Sequence, residues 1–343
     1  MVFIGVIFMI KEAIEKVARK IDLTEKETRL CFDEIMSGAA TSAQIGAFLT
    51  ALRMKGETID EITGAAKTMR EKALHIDAGK AVLDTCGTGG SYINTFNIST
   101  VTAFVVAGCG IKVAKHGNRG ASSACGSADV LEALGVKIDI TPDMVQRCIL
   151  EIGIGFMYAP SFHTAMKYVA ASRKEIGVRT IFNLLGPLSN PADAKYQVAG
   201  VYAAGLTVSL ARVMKNLGVK EAFVVHGADG LDEITITGRT KVAQLKNGRV
   251  RSYYLTPDDF GITRARLDDI EGGSAKDNAD TVLSILKGER GPKRDIVLMN
   301  AAAGLVCAGK AKNLKAGVKL AGEAIDSGKA LDKLLQLIEI TNR

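Results

Sequence analysis

From Ala81 onward short β-rich runs alternate with helical stretches, and that alternation restricts the fold more than any other feature of the chain. Candidate strands are Val82-Leu83, Lys112 to Lys115, Gly155 to Tyr158, Gln197 to Tyr202, Glu221 to His226 and Glu233 to Thr237. Helices fit between most of them, which predicts an α/β fold with a mostly parallel central sheet. The last strands are candidates for antiparallel pairing, because Ile234-Thr-Ile-Thr-Gly238 runs on to Lys241-Val-Ala-Gln-Leu245 through a Gly-containing turn. From Arg294 the chain reads as helices with Lys-rich exposed faces.

The segment before it is different in kind. Residues up to about Leu74 read as wholly helical, with Ala13, Ile14, Val17, Ala18 and Ile21 at the spacing of one helix face. Thr24-x-x-Glu27 and Thr58-x-x-Glu61 are capping boxes that open two further helices, and Gly56 is a helix stop. The expected division is a small helical domain over 1–75 and a large α/β domain over 76–343. The apolar surplus of the short helices points to a subunit interface or to packing on the rest of the chain.

Composition excludes more than it assigns. The 343 residues, 47% hydrophobic and 24% charged, fit a soluble and well-packed globular protein. A net charge of +7 is dispersed, with no run of five or six basic residues, so it favours an anionic ligand only weakly. Six cysteines form no C-x-x-C pair and read as buried free thiols, which favours a reducing, cytoplasmic setting. The apolar start, Met1 to Ile10, is about half a membrane span and lacks a basic flank. It reads as a lead-in to the first helix or an upstream start, and no membrane association is expected.

Four motifs carry chemistry. Asp84-Thr-Cys-Gly-Thr-Gly-Gly-Ser91 places three glycines within four positions between a strand and the helix that follows Asn97-Ile-Ser-Thr100. Such a loop lets backbone N–H groups close on an oxyanion at a helix N-terminus; it is also consistent with an ordinary turn and N-cap. Lys115-His-Gly-Asn-Arg-Gly-Ala-Ser-Ser123 is a second glycine-rich strand-to-helix loop, with cationic donors, or a basic surface turn. Asp232-Glu233 suits Mg²⁺ shared with a phosphate ligand, or a solvated acidic turn. Finally, a helix over Ser161 to Arg173 puts Met166 and Arg173 on one face with His163, an apolar shelf ending in a guanidinium that suits a small aromatic carboxylate. Taken singly, His163 and Arg173 fit a structural histidine and a surface ion pair as well.

In order and spacing these motifs resemble the anthranilate phosphoribosyltransferases over nearly the whole chain. They are Gly-Thr-Gly-Gly at 87–90, Asn-Thr-Phe-Asn-Ile-Ser-Thr at 94–100, Lys-His-Gly-Asn-Arg at 115–119, Gly-Ser-Ala-Asp at 126–129 and Asp232-Glu233. Arg-Thr-Ile-Phe-Asn-Leu-Leu-Gly-Pro-Leu at 179–188 completes the set. The resemblance implies a small helical domain plus a large α/β domain of the nucleoside-phosphorylase-like phosphoribosyltransferase type. In it 172–190 returns to the helical domain, the active site lies at the hinge, and two copies form a homodimer through the helical domain. The implied donor is 5-phosphoribosyl 1-diphosphate with Mg²⁺, and the implied acceptor is anthranilate. Gly87, Gly90, Ser91, Thr95, Asn97, Ile98, Ser99, Thr100, Lys115, His116, Gly117, Asn118, Arg119, Gly120, Ala121, Ser122, Ser123 and Ser127 are implied donor contacts. Ser99, Asp232 and Glu233 are implied metal ligands. Asn118 and Arg173 are implied to hold anthranilate, with Gly87, His116, Pro160, His163 and Met166 along its path.

The chain departs from the usual pattern at Ser91, where the family's fingerprint ends Gly-Gly-Asp; one carboxylate near the diphosphate is missing. No residue is assigned as a general base, because an aromatic amine already carries its lone pair. Two other readings share the fold. A pyrimidine nucleoside phosphorylase needs a base-reading Arg/Lys/Ser set, and a non-catalytic nucleic-acid-binding relative predicts erosion of Asn118, Arg173 and Asp232-Glu233, all of which are present.

Overall fold

In the computed structural model, residues 9–79, 81–90, 93–120 and 125–343 are described. The chain divides into two compact units, one of residues up to Ala73 with His163–Ser189, the other of Leu74–Phe162 with Asn190–Arg343.

The smaller unit is built on α1 (Ile10–Ala18), α2 (Glu25–Met36), α3 (Ser42–Lys55) and α4 (Ile59–Glu71). Both expected capping boxes form: Thr24 Oγ1 accepts the Glu27 N–H at 3.2 Å, and the Thr24 N–H reaches back to the Glu27 carboxylate at 2.9 Å. Thr58 and Glu61 do the same. A third box, Thr41 with Gln44, opens α3. Glu61 does more than cap, since its buried carboxylate also accepts the Leu23 N–H at 2.9 Å and the Lys55 ammonium at 3.0 Å. Gly56 ends α3 at φ +90°, where a Cβ is disfavoured. The first helix is shorter than its apolar spacing predicts. It stops at Ala18, Lys20 turns left-handed at φ +60°, and Ile21 lies exposed rather than on the buried face.

The same unit takes in α9 (Lys167–Ile176) and α10 (Phe182–Leu185) from later in the chain. Phe182 packs on Phe32 of α2 with ring centroids 5.4 Å apart, and Phe32 meets Phe48 of α3 edge-on at 6.3 Å. Arg70 Nε donates to the Leu188 carbonyl at 2.7 Å, holding the end of the segment to α4.

The larger unit carries seven strands: β1 (Val82–Gly87), β2 (Lys112–Gly117), β3 (Ile154–Tyr158), β4 (Tyr196–Gly200), β5 (Glu221–Gly227), β6 (Thr240–Lys246) and β7 (Arg249–Leu255). Their order is β3-β2-β1-β4-β5-β6-β7; the first five are parallel and the last two antiparallel. The order reverses between β1 and β4, and in an open α/β sheet ligands bind beyond the strand carboxyl ends at such a switch point. Helices α5 (Ile98–Gly108), α6 (Ser127–Ala133), α7 (Pro142–Ile152), α8 (Ala159–Phe162) and α11 (Leu206–Asn216) connect the parallel strands. The four-residue α12 (Pro257–Phe260) then leads to α13 (Ala275–Leu286), α14 (Pro292–Cys307), α15 (Leu314–Asp326) and α16 (Lys329–Thr341). α5 and α14 are buried along almost their whole length and form the middle of the core with the sheet.

Three expectations need correction. Glu233 to Thr237 is not a strand; Ile234, Thr235 and Ile236 are fully buried, so the alternation reported burial, but no strand pairs with them. The antiparallel partner of β6 is therefore β5 on one side and β7 on the other, joined to β7 through Asn247-Gly248. Both turn residues have positive φ, +50° and +72°, the geometry that Asn-Gly favours in a two-residue hairpin, and β7 itself is a largely polar edge strand without an apolar signature. Lastly, Ser161 to Arg173 is not one helix. His163 (φ −110°, ψ 59°) breaks it between α8 and a 3₁₀ turn at Thr164–Met166, so helical spacing does not link His163 to Arg173.

Candidate functional site

The switch point is where the two glycine motifs and the acidic pair belong to one structure. β1 ends in Gly87, and Gly89 and Gly90 follow at φ +65° and +77°. The Thr88 N–H donates to the Gly200 carbonyl at the end of β4 (2.9 Å), and Thr88 Oγ1 accepts the Tyr202 N–H (3.0 Å). Asp232 lies across both strand ends. Its carboxylate accepts the Gly89 N–H at 2.9 Å; a Cβ on Gly87 would stand 2.5 Å from Asp232 Oδ2, and one on Gly200 only 1.5 Å from the Asp232 carbonyl oxygen. These glycines are required by close approach, at Gly200 without any unusual φ.

The Glu233 carboxyl lies near the start of α5, where the Ser99 N–H favours its charged form. Burial, then the neighbouring Asp232 charge, push its carboxyl up to about 8, against the pull of Lys115 and the Ser99 N–H. Lys115 itself points inward. Its ammonium donates to the Thr85 carbonyl at 2.5 Å and to Ser99 Oγ at 3.2 Å, and burial lowers its pKa while Asp84 raises it. Asp84 is wholly buried, with its carboxyl raised by burial; it accepts Asn190 Nδ2 at 2.8 Å and the His116 N–H at 3.3 Å. Asn190 also donates to the Ala114 carbonyl at 2.9 Å. Two carboxylates over a buried acid, with one lysine among them, fit a divalent cation: the surplus negative charge is what such an ion neutralises. No group of three or more His, Cys, Asp or Glu close enough to hold a metal occurs among the described residues. A Mg²⁺ ion held by this pair would need ligand oxygens or water to complete its coordination.

Two amides at the start of α5 are already engaged. Ile98 N–H donates to the Phe96 carbonyl (2.8 Å) and Thr100 N–H to the Asn97 carbonyl (3.0 Å); the side chains of Ile98 and Thr100 are buried. Asn97 spends its side-chain amide inside the unit, giving Nδ2 to the Cys125 carbonyl (3.2 Å) and taking Asn278 Nδ2 on Oδ1 (3.1 Å). Thr95 bridges to Glu271, and Gly272 N–H donates to the Asn94 carbonyl (3.0 Å). Glu271-Gly272 thus supports the first loop. The Gly272-Gly273 turn signal is visible in the sequence, but nothing along the chain names its partner.

The second loop is clasped by Asp129. That carboxylate accepts the Gly120 and Gly126 N–H groups at 2.9 and 2.8 Å and Arg119 Nη1 at 3.0 Å. Arg119 also forks onto Glu132 and lies over the Tyr158 ring at 5.8 Å, so its charge organises the loop. Gly117 passes so close to Ser127 that a Cβ would stand 2.1 Å from its Oγ. The Asn118 side chain takes the Arg119 N–H at 2.8 Å, and His116 is buried in β2. Ser91, Ala121, Ser122 and Ser123 lie outside the described residues. Pro160 is exposed on α8.

In the smaller unit, Arg173 lies 5.2 Å over the Phe182 ring and has no ion pair among the described residues; burial holds its pKa below the usual guanidinium range. Met166 is half-buried and His163 buried. A guanidinium braced on an aromatic face and lacking its own acid is suited to an external carboxylate.

The elevated Glu233 carboxyl predicts a pH effect. The folded chain holds that proton more tightly than the unfolded chain, whose value is near 4.5; the added stability is complete below that pH and is lost as pH rises toward about 8. In chelator-treated protein the Tm is expected to fall over this window more steeply than in Glu233→Gln. Equal slopes in thermal melts would refute the assignment.

The helical bundle domain of the glycosyl transferase family matches residues 11–73, and the a/b domain of the same family matches 79–331. The chain is thus a two-domain glycosyl transferase in class. It is 56% identical to the anthranilate phosphoribosyltransferases of Geotalea uraniireducens (strain Rf4) and Geobacter sulfurreducens, with 97% of this chain and 100% of each relative covered. The crystal structure of the Thermus thermophilus enzyme superposes with a TM-score of 0.92 at 41% identity, covering 96% of this chain and 99% of that one. The Saccharomyces cerevisiae enzyme in complex with PRPP and Mg gives 0.90 at 30% identity, covering 97% and 98%. The chain belongs to the anthranilate phosphoribosyltransferase family.

Proposed function

We infer that this chain transfers the 5-phosphoribosyl group of 5-phosphoribosyl 1-diphosphate to the amine of anthranilate, releasing diphosphate, as a step of tryptophan biosynthesis. The observation that supports the reading best is the crossing of Asp232-Glu233 over the carboxyl ends of β1 and β4, against the Gly87 loop. The Gly87 and Lys115 loops would take the donor's phosphates, and Asp232, Glu233 and Ser99 would hold Mg²⁺. There it would supply charge neutralisation for the departing diphosphate. Arg173 would hold the anthranilate carboxylate, with Asn118, His163 and Met166 as further contacts. The amine attacks ribose C1 with its own lone pair, so the protein's work is to bind, orient and exclude water rather than to abstract a proton from the nucleophile. The family assignment favours this reading over a nucleoside phosphorylase or a nucleic-acid binder.

A fluorescence assay of phosphoribosyl-anthranilate formation across a Mg²⁺ titration tests the activity, and no turnover at any Mg²⁺ concentration would overturn it. Arg173→Ala is expected to raise the KM for anthranilate about tenfold or more, the scale of a lost charge-assisted pair, and to leave the donor KM within twofold. Equal losses for both substrates would remove Arg173 from that role. A cytoplasmic homodimer joined through the helical unit belongs to the same proposal. Supporting it, Ile21, Leu30, Met54 and Val178 are exposed on that unit, and among the described residues no helix is long and apolar enough to cross a membrane. Sedimentation at the monomer mass would contradict the dimer.

A further inference from the structure

Asp232 and Glu233 lie in a connection between β5 and β6 that has no regular structure, yet a metal site needs its carboxylates held within a fraction of an ångström. Two devices hold this one. At its start, Gly227 N–H donates to the Leu231 carbonyl and Ala228 N–H to the Arg239 carbonyl, both at 2.8 Å, closing the connection on itself. The Asp229 carboxylate accepts the Leu231 N–H at 3.1 Å and the hydroxyls of Thr235 and Thr237. These bonds shape the loop but leave Ile234, the residue after Glu233, unanchored.

Asn300 anchors it. This residue is 1% exposed in the middle of α14, a helix that, apart from Arg294 in its first turn, is otherwise buried through apolar residues. Its Oδ1 accepts the Ile234 N–H at 3.0 Å and its Nδ2 donates to the Ile234 carbonyl at 3.0 Å. The second Nδ2 hydrogen goes to the Ile296 carbonyl one turn back, at 2.9 Å. The side-chain amide therefore does for Ile234 what a neighbouring strand does for a strand residue, which explains how a fully buried stretch dispenses with strand pairing. Only a primary amide provides both an acceptor and two donors in this shape. Because Ile234 and Glu233 share a peptide unit, fixing the Ile234 N–H fixes the plane from which the Glu233 backbone departs. Glu233 is thereby aimed at the start of α5.

We propose that Asn300 is a positioning residue for the metal site: by pairing both polar groups of Ile234, it sets the placement of Glu233 and so the affinity for the divalent ion. The inference rests on the metal role given above to Asp232 and Glu233. Supporting residues behind metal ligands typically contribute 10- to 100-fold in metal affinity.

The test is Mn²⁺ binding to the full chain in the presence of inorganic diphosphate, followed by loss of the free-ion electron paramagnetic resonance signal. Asn300→Asp keeps the volume and the acceptor but removes both donors; Asn300→Ser is a smaller alternative that removes the two-point pairing. Met299→Ala, a buried neighbour on α14, controls for a loosened core, and Glu233→Ala controls for the ligand. The expected result is at least tenfold weaker Mn²⁺ binding in the folded Asn300 variants, with Met299→Ala within twofold of the unaltered chain. Unchanged binding in either folded Asn300 variant, or equal weakening in Met299→Ala, would overturn the positioning role. If Glu233→Ala binds Mn²⁺ as tightly as the unaltered chain, the metal assignment itself falls, and that outcome is distinct from the first.

Discussion

Gly200→Ala is expected to reduce turnover by about a hundredfold or more, the scale for displacing a reacting group by an ångström. The added Cβ would lie 1.5 Å from the Asp232 carbonyl oxygen, and the obstacle is backbone, not the flexible end of a side chain. Either β4 moves, disturbing its pairing with β1 and β5, or the Asp232-Glu233 turn lifts off the strand ends. Overpacking of this kind costs about 3 kcal/mol when the structure yields. The corresponding loss in Tm is roughly 5–10 °C for a unit of this size. The turnover and Tm of Gly200→Ala can be read side by side. A variant that melts and turns over like the unaltered chain would show that Asp232 does not need to lie on β4.

Lys115→Met is expected to be as damaging, though for a different reason. Its motif resembles a set of donor contacts, yet the ammonium is turned inward onto the Thr85 carbonyl and Ser99 Oγ. It is the cation that offsets Asp84 and Glu233, and both carboxyls are shifted upward by burial even in its presence. Removing one member of a buried charged set typically costs ~3–5 kcal/mol, because the others are left without compensation. Methionine fills the space and keeps the stem, so the effect reads the charge and its two hydrogen bonds. We expect a Tm lower by roughly 10 °C and a steeper loss of stability with rising pH, as Asp84 and Glu233 ionise without a partner. A melting curve matching the unaltered chain at neutral pH would return Lys115 to the role of a surface donor.

Much of the architecture was legible because it is local. A capping box lies within four residues, and Thr24-Glu27 and Thr58-Glu61 formed as spelled. Besides Lys241 to Leu245, which lies in β6, six β-rich runs were visible, and five of them are strands. The sixth, Glu233 to Thr237, shows the limit: alternation reports which side chains are buried, not what pairs with their backbone, and here the partner is Asn300, 66 residues away. β7 failed in the opposite sense, because an edge strand facing solvent needs no apolar alternation, and only Asn247-Gly248 announced it. The helix expected over Ser161 to Arg173 failed at His163, where the chain leaves one compact unit and enters the other.

By itself the sequence determined the helical segment, the α/β pattern, the two glycine loops and the acidic pair, since each depends on neighbours within a few residues. Tertiary structure decided how those parts are used. Asp232 rests on Gly87 and Gly200 because two strand ends leave no room for a Cβ. Lys115 is an internal counter-charge because burial makes an unpaired Asp84 or Glu233 costly. Asn97 and Arg119 tie loops together, and Asn300 stands in for a missing strand. Each of these depends on desolvation and on close approach between residues far apart in the chain, and no spacing along the sequence encodes either.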